Sequence, residues 1–129
     1  MRDLNQAKAL LIMARKDFKA LKAMMNAELF EGEIFGFHAQ QAIEKCLKAW
    51  LALLGKEYPL THDISVLLEL LKQDGHDVQP FWDLVEYNVF AVRFRYESLD
   101  TYDEPLDRQA AVKAIQDLIL RVQRLFPED

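Results

Sequence analysis

Apolar residues return every three or four positions from the start of the chain. Leu4, Ala7, Leu11, Ala14, Phe18, Leu21 and Met25 form one stripe of a long first helix that Asp3 is placed to cap. Gly32, within Glu31-Gly32-Glu33, is the only break before the second helix, and so short a connection predicts an antiparallel hairpin. Helix two is predicted from about Glu33 to Leu54. Phe35, Ala39, Ala42, Ile43, Cys46, Leu47, Trp50 and Leu54 face inward, and Gly55 is the natural stop.

Tyr58-Pro59-Leu60 reads as a turn, and Thr61 as the N-cap of a third helix that carries Ile64, Leu67, Leu68 and Leu71 and ends at Gly75. The stretch from Phe81 to Tyr96 is ambiguous. Phe90, Val92, Phe94 and Tyr96 alternate like a strand, whereas Trp82, Val85, Val89, Val92 and Tyr96 fit a helix face. A lone strand has no ladder partner, so helix is the better reading. An acidic loop from Glu97 leads to Asp107, the cap of a last helix with Val112, Ile115, Ile119, Val122 and Phe126 on one side before Pro127. The expectation is an all-α fold: a four-helix up-and-down bundle with one additional short helix, residues 1–129 forming a single domain.

Composition narrows the function. With 51% hydrophobic and 29% charged residues the chain is globular, not disordered. A net charge of −5 argues against general electrostatic coating of nucleic acid, though not against a local basic groove. A single cysteine, Cys46, excludes an internal disulfide and suits a core position in a reducing compartment. No apolar run approaches membrane-spanning length and no leader is visible, so the expectation is a soluble, cytoplasmic protein.

Helix two carries the most informative polar pattern. His38, Gln41, Glu44, Lys45 and Lys48 fall within roughly a third of its circumference. One reading is a solvated back with Glu44 and Lys48 as an ordinary i,i+4 pair; the other, favoured by His38 and Gln41, is a dimer face or ligand groove. His62, between Thr61 and Asp63, sits at a helix start whose free N–H groups attract anions. Arg93, Arg95 and Tyr96 combine a planar fork for phosphate or carboxylate with a stacking ring; one arginine could equally pair with the acidic loop. Lys8, Arg15, Lys19 and Lys22 line one side of helix one, either a solubilising stripe or a face toward RNA. His38, His62 and His76 show no metal-ligand spacing, and glycine-rich phosphate loops, GxSxG and CxxC are absent.

In order and spacing, the Phe37–Leu51 segment, Thr61-His62-Asp63-Ile64 running into Leu67 and Leu68, Arg95-Tyr96 and the Ala/Ile/Leu-rich last helix resemble the HEPN family of small helical proteins. The resemblance implies a four- or five-helix bundle that pairs as a homodimer. It also implies a minimal nucleotidyltransferase encoded nearby as partner, within a toxin–antitoxin or defence module, and a nucleotide-binding role. On it, His38, Gln41, Lys48, His62, Arg95 and Tyr96 are the expected contacts to a nucleotide, RNA or the partner, with neither metal nor cofactor. One branch of the family contains metal-independent ribonucleases marked by Arg followed by His after four to six residues. No arginine here is followed by His in that window; Arg95-Tyr96 leads instead into Glu97, Ser98, Leu99 and Asp100. The expectation is therefore a non-catalytic binding protein. Two alternatives stand beside it: an atypical ribonuclease using Arg95 and His62, or a purely structural homodimer.

Overall fold

The computed structural model describes residues 3–91 and 106–127. All the regular structure among them is helical: α1 (Leu4–Ala23), α2 (Gly32–Leu53), α3 (Ile64–Gln73), a 3-10 helix (Gln79–Tyr87) continued by helical residues 88–91, and α4 (Arg108–Gln123). None of the described helices is long and apolar enough to cross a membrane.

The capping signals work as read at both ends of the chain. Asp3 accepts from Gln6 N to start α1, and Asp107 accepts from Ala110 N to start α4. Gly55 and Gly75 adopt φ of 71° and 87°. Each closes a helix by the same pair of bonds: Lys56 N to Leu51 O with Gly55 N to Ala52 O, and His76 N to Leu71 O with Gly75 N to Lys72 O. Only glycine enters that left-handed turn without steric cost.

α1 and α2 run antiparallel. Asp3 N donates to Ala52 O at one end, and Lys45 Nζ reaches Asp17 at 2.7 Å nearer the other. The hairpin is wider than the sequence suggested. α1 stops at Ala23, so Met25 lies in the connection, where Glu28 N bonds Asn26 Oδ1. Gly32 is the first residue of α2 and not a break. Arg108, buried at the start of α4, ties this connection down by donating to Met24 O (2.6 Å) and Phe30 O (2.7 Å), with its guanidinium 5.1 Å from the Phe35 ring centre.

α1, α3, α4 and the 3-10 helix all pack on α2. That is why Ala49, Trp50, Leu51, Ala52 and Leu53 are consecutively buried, which a helix with one wet side does not allow. Fully burying side chains such as Trp50, Phe35, Ile43 and Leu47 stabilises the fold by about 1.5–3 kcal/mol each. Leu54, expected inside, is only partly covered.

The described part of the ambiguous stretch is helical, as read, but it begins as a 3-10 helix and turns a different face inward. Among its described residues the large buried side chains are Phe81, Leu84, Tyr87 and Phe90, every third position, with the small Ala91 buried beside the last. Three residues per turn is the 3-10 period, so this helix lays a straight apolar ridge on the core. Trp82, Val85 and Val89, assigned to the inner face by a 3.6 period, are half-buried. The Phe90 ring rests against Gly36, where an added Cβ would lie 2.5 Å from three ring carbons. Arg93, Arg95, Tyr96 and the acidic loop lie outside the described residues.

Candidate functional site

Gln40, Glu44 and Lys48 stand four residues apart, one above the other on α2. Gln40 is 0% and Glu44 5% exposed, so this ridge is covered, not the solvated back of the helix. The i,i+4 pair of Glu44 and Lys48 is present, but the Lys48 side chain keeps only 12% of its surface and donates to Glu44 Oε2 at 3.0 Å. Glu44 Oε1 takes two more bonds, from Gln40 Nε2 at 3.0 Å and from His62 Nδ1 at 2.7 Å. Gln40 also donates to His62 O at 3.0 Å and accepts from Gln41 Nε2 at 2.7 Å. One buried glutamine therefore fixes both the backbone of His62 and the carboxylate that holds its ring.

The loop after Gly55 delivers His62 to this ridge. Thr61 N bonds Pro59 O, and Thr61 Oγ1 accepts from Asp63 N, folding the chain back over α2. Lys48 Nζ lies 5.8 Å from the Tyr58 ring centre, and the Tyr58 hydroxyl accepts from Gln6 Nε2 at 2.8 Å. Burial pushes the Glu44 carboxyl up. The bonds from Gln40, His62 and Lys48, with the Lys48 charge, outweigh it and hold the group below its ordinary range. An ionised Glu44 only accepts, so Nδ1 of His62 carries the proton. Half of the His62 side chain, 49%, stays open to solvent.

His38 belongs to a second, adjoining cluster. Asp17, from α1, accepts from Lys45 at 2.7 Å and faces His38 Nδ1 at 3.3 Å. The hairpin thus supplies His38 with a carboxylate from the neighbouring helix.

The start of α3 corrects two expectations. Its N-cap is Asp63, not Thr61: Asp63 Oδ1 accepts from Ser65 N (2.9 Å), Ser65 Oγ (2.6 Å) and Asn88 Nδ2 (2.7 Å). Ile64 N donates to Asn88 Oδ1 at 2.8 Å. The amides expected to attract an outside anion are already held by Asp63 and Asn88, so this helix start is not an open anion site. The Ser65 hydroxyl, followed by burial acting upward and then Asn88 and backbone amides, leaves Asp63 below its ordinary value.

Of the expected contacts, His62, Lys48 and Gln41 thus converge on the Gln40–Glu44 pair, His38 sits on Asp17 beside them, and Arg95 and Tyr96 lie outside the described residues. Gln40 and Asp17 were not foreseen as participants. Asp17 is the one acidic residue within α1, a signal legible beforehand; the role of Gln40, between the core residue Ala39 and the polar Gln41, is visible only from the fold. His76 packs edge-on against Trp50 and pairs with Asp74. Cys46 is fully buried. Among the described residues no group of His, Cys, Asp and Glu is placed to hold a metal ion.

The sequence matches the family model of the HEPN domain over residues 7–125. No curated protein and no solved structure matches it.

Proposed function

The chain belongs to the HEPN domain family, and from that premise we propose that it is a non-catalytic binding module, one half of a nucleotidyltransferase-linked toxin–antitoxin or defence pair. The observation that carries this reading is His62: half-exposed, yet clamped by Glu44 at 2.7 Å and by Gln40 through its own carbonyl. A doubly protonated ring keeps Nδ1–H on Glu44 and offers Nε2–H to a phosphate oxygen without reorganising. In this reading Gln41, His38 and the outer edge of Lys48 border the same surface, and Arg95 and Tyr96 add a fork and a stacking ring. The convergence of the other elements on α2 supports a single-domain, up-and-down four-helix bundle. In this reading the protein is a cytoplasmic homodimer, and the partly exposed His38–Gln41 side is where its two-fold seam lies.

Calorimetry and thermal shift against ATP, other nucleotides and short RNA test the proposal. Ligand at 100 times Kd stabilises by about 2.7 kcal/mol, and His62→Ala removes that gain without unfolding the protein. Light scattering at twice the 15.1 kDa chain mass supports the dimer. No shift with any nucleotide, RNA or partner would end the binding reading.

The Glu44–His62 geometry also favours one second reading, a ribonuclease. With Nδ1–H held by a carboxylate, a neutral ring presents Nε2 as a proton acceptor, the arrangement of an oriented general base. EDTA-resistant RNA cleavage lost in both His62→Ala and Arg95→Ala would establish it over the binding module.

A further inference from the structure

The solvent face of α1 carries five cations, Lys8, Arg15, Lys16, Lys19 and Lys22, all exposed. The only acid within the helix, Asp17, is turned to Lys45 and His38. At about 100° per residue, Lys8, Arg15, Lys19 and Lys22 lie within roughly 60° of one another. Ile12, beside them, leaves 51% of its surface in water. None of the five cations has an ion-pair partner among the described residues.

The opposite pattern occupies α3 and the 3-10 helix. Residues 57–91 hold seven carboxylates (Glu57, Asp63, Glu69, Asp74, Asp77, Asp83, Glu86) against one lysine, Lys72. Within this acidic field lies a groove of about 440 Å³ lined by Ser65, Val66, Glu69, Leu70, Gln73 and Trp82, with apolar surface predominating. Glu69, Asp83 and Glu86 are exposed and have no cation partner among the described residues. α1 packs on α2 and α4, whereas α3 packs on α2 and the 3-10 helix, so the two surfaces are held apart within one molecule.

We propose that α1 of a second copy of this chain docks on the α3–Trp82 groove, Ile12 entering between Val66, Leu70 and Trp82 while the basic residues meet the acidic rim. Complementary charge selects this occupant: a chain of net charge −5 repels its own kind except where a cationic face is presented to an anionic one. The contact is heterologous, since the two surfaces differ, and each added copy leaves one α1 and one groove free. It therefore builds salt-sensitive chains, on top of whatever two-fold pair the α2 side forms.

Sedimentation velocity on the full chain tests this, over rising concentration in about 20 mM and about 500 mM salt, between which the screening length shortens several-fold. The expected result is a mass that grows with concentration in low salt and reverts to one fixed unit in high salt. Arg15→Glu/Lys19→Glu, which blocks only α1, and Glu69→Lys/Glu86→Lys, which blocks only the groove, each abolish growth. Mixed together they regain association, because each supplies the surface that the other lacks: one added copy where the unit is a single chain, renewed growth where it is a two-fold pair carrying two of each surface. All four substitutions are at exposed positions, and circular dichroism checks their folding. A wild-type mass independent of concentration in low salt would overturn the proposal, and so would growth that both variants retain. Short RNA that binds α1 in a wild-type protein that never self-associates would overturn it in favour of a polyanion on this face. The fixed mass in high salt tests the two-fold pair separately.

Discussion

Asn88 completes the cap of Asp63: its Oδ1 accepts from Ile64 N at 2.8 Å while its Nδ2 donates to Asp63 Oδ1 at 2.7 Å. A side chain just past the 3-10 helix thus seals the first turn of α3. Asn88→Ala should lower stability by about 1–2 kcal/mol, read as a lower urea midpoint with unchanged slope. A neutral result would show that water replaces the asparagine.

Glu44 and Lys48 should behave as one unit. Glu44→Gln leaves the mostly buried Lys48 ammonium without its anion and costs about 3 kcal/mol. Adding Lys48→Met should recover most of that loss, giving a coupling energy well above 0.5 kcal/mol in the double-mutant cycle. Strict additivity of the two changes would mean the pair contributes nothing as a pair.

Acid should act through the same carboxylates. Glu44 and Asp63 both lie below their ordinary values in the folded protein. Their contribution is complete above the unfolded values, and it fades as pH falls below about 4.5 and on through the folded ones. Denaturation midpoints measured between neutral pH and the acid range should trace this loss, with a flatter acid limb in Glu44→Gln. A limb of equal steepness in that variant would remove Glu44 from the account.

Gly36→Ala reverses the usual sign. Within a helix, alanine is normally better than glycine by about 1 kcal/mol. Here the new Cβ meets the buried Phe90 ring at 2.5 Å, so destabilisation of about 1–3 kcal/mol is expected. Gly36→Ala combined with Phe90→Leu should be less destabilised than the sum of the two single changes. Higher stability in Gly36→Ala alone would contradict the close packing.

The sequence made α1, α2 and α4 legible because their apolar residues keep a 3.6 period, with Asp3, Gly55 and Asp107 as recognisable caps. It misled at Phe81–Phe90, where the buried residues recur every third position and a 3.6 template selects the wrong face. It misled again at Thr61, because Thr61 and Asp63 are both good caps and the choice was made by Asn88, twenty-five residues away. His62, Lys48 and the Glu44–Lys48 pair could be picked out, yet not the burial of Glu44 or its bond to His62. A polar ridge on a helix looks the same in sequence whether water or another segment covers it. Arg108 gave no signal, since its two carbonyl partners belong to a connection whose shape the pattern of residues does not dictate.

Cys46 gives the molecule a built-in clock. The only thiol in the chain is fully buried, and burial pushes it above its ordinary range, so it stays protonated and out of reach while the chain is closed. A thiol reagent must wait for an opening large enough to part α2 from its neighbours. The labelling rate then counts such openings, and anything that binds only the closed form slows the count by the same factor that it stabilises the fold.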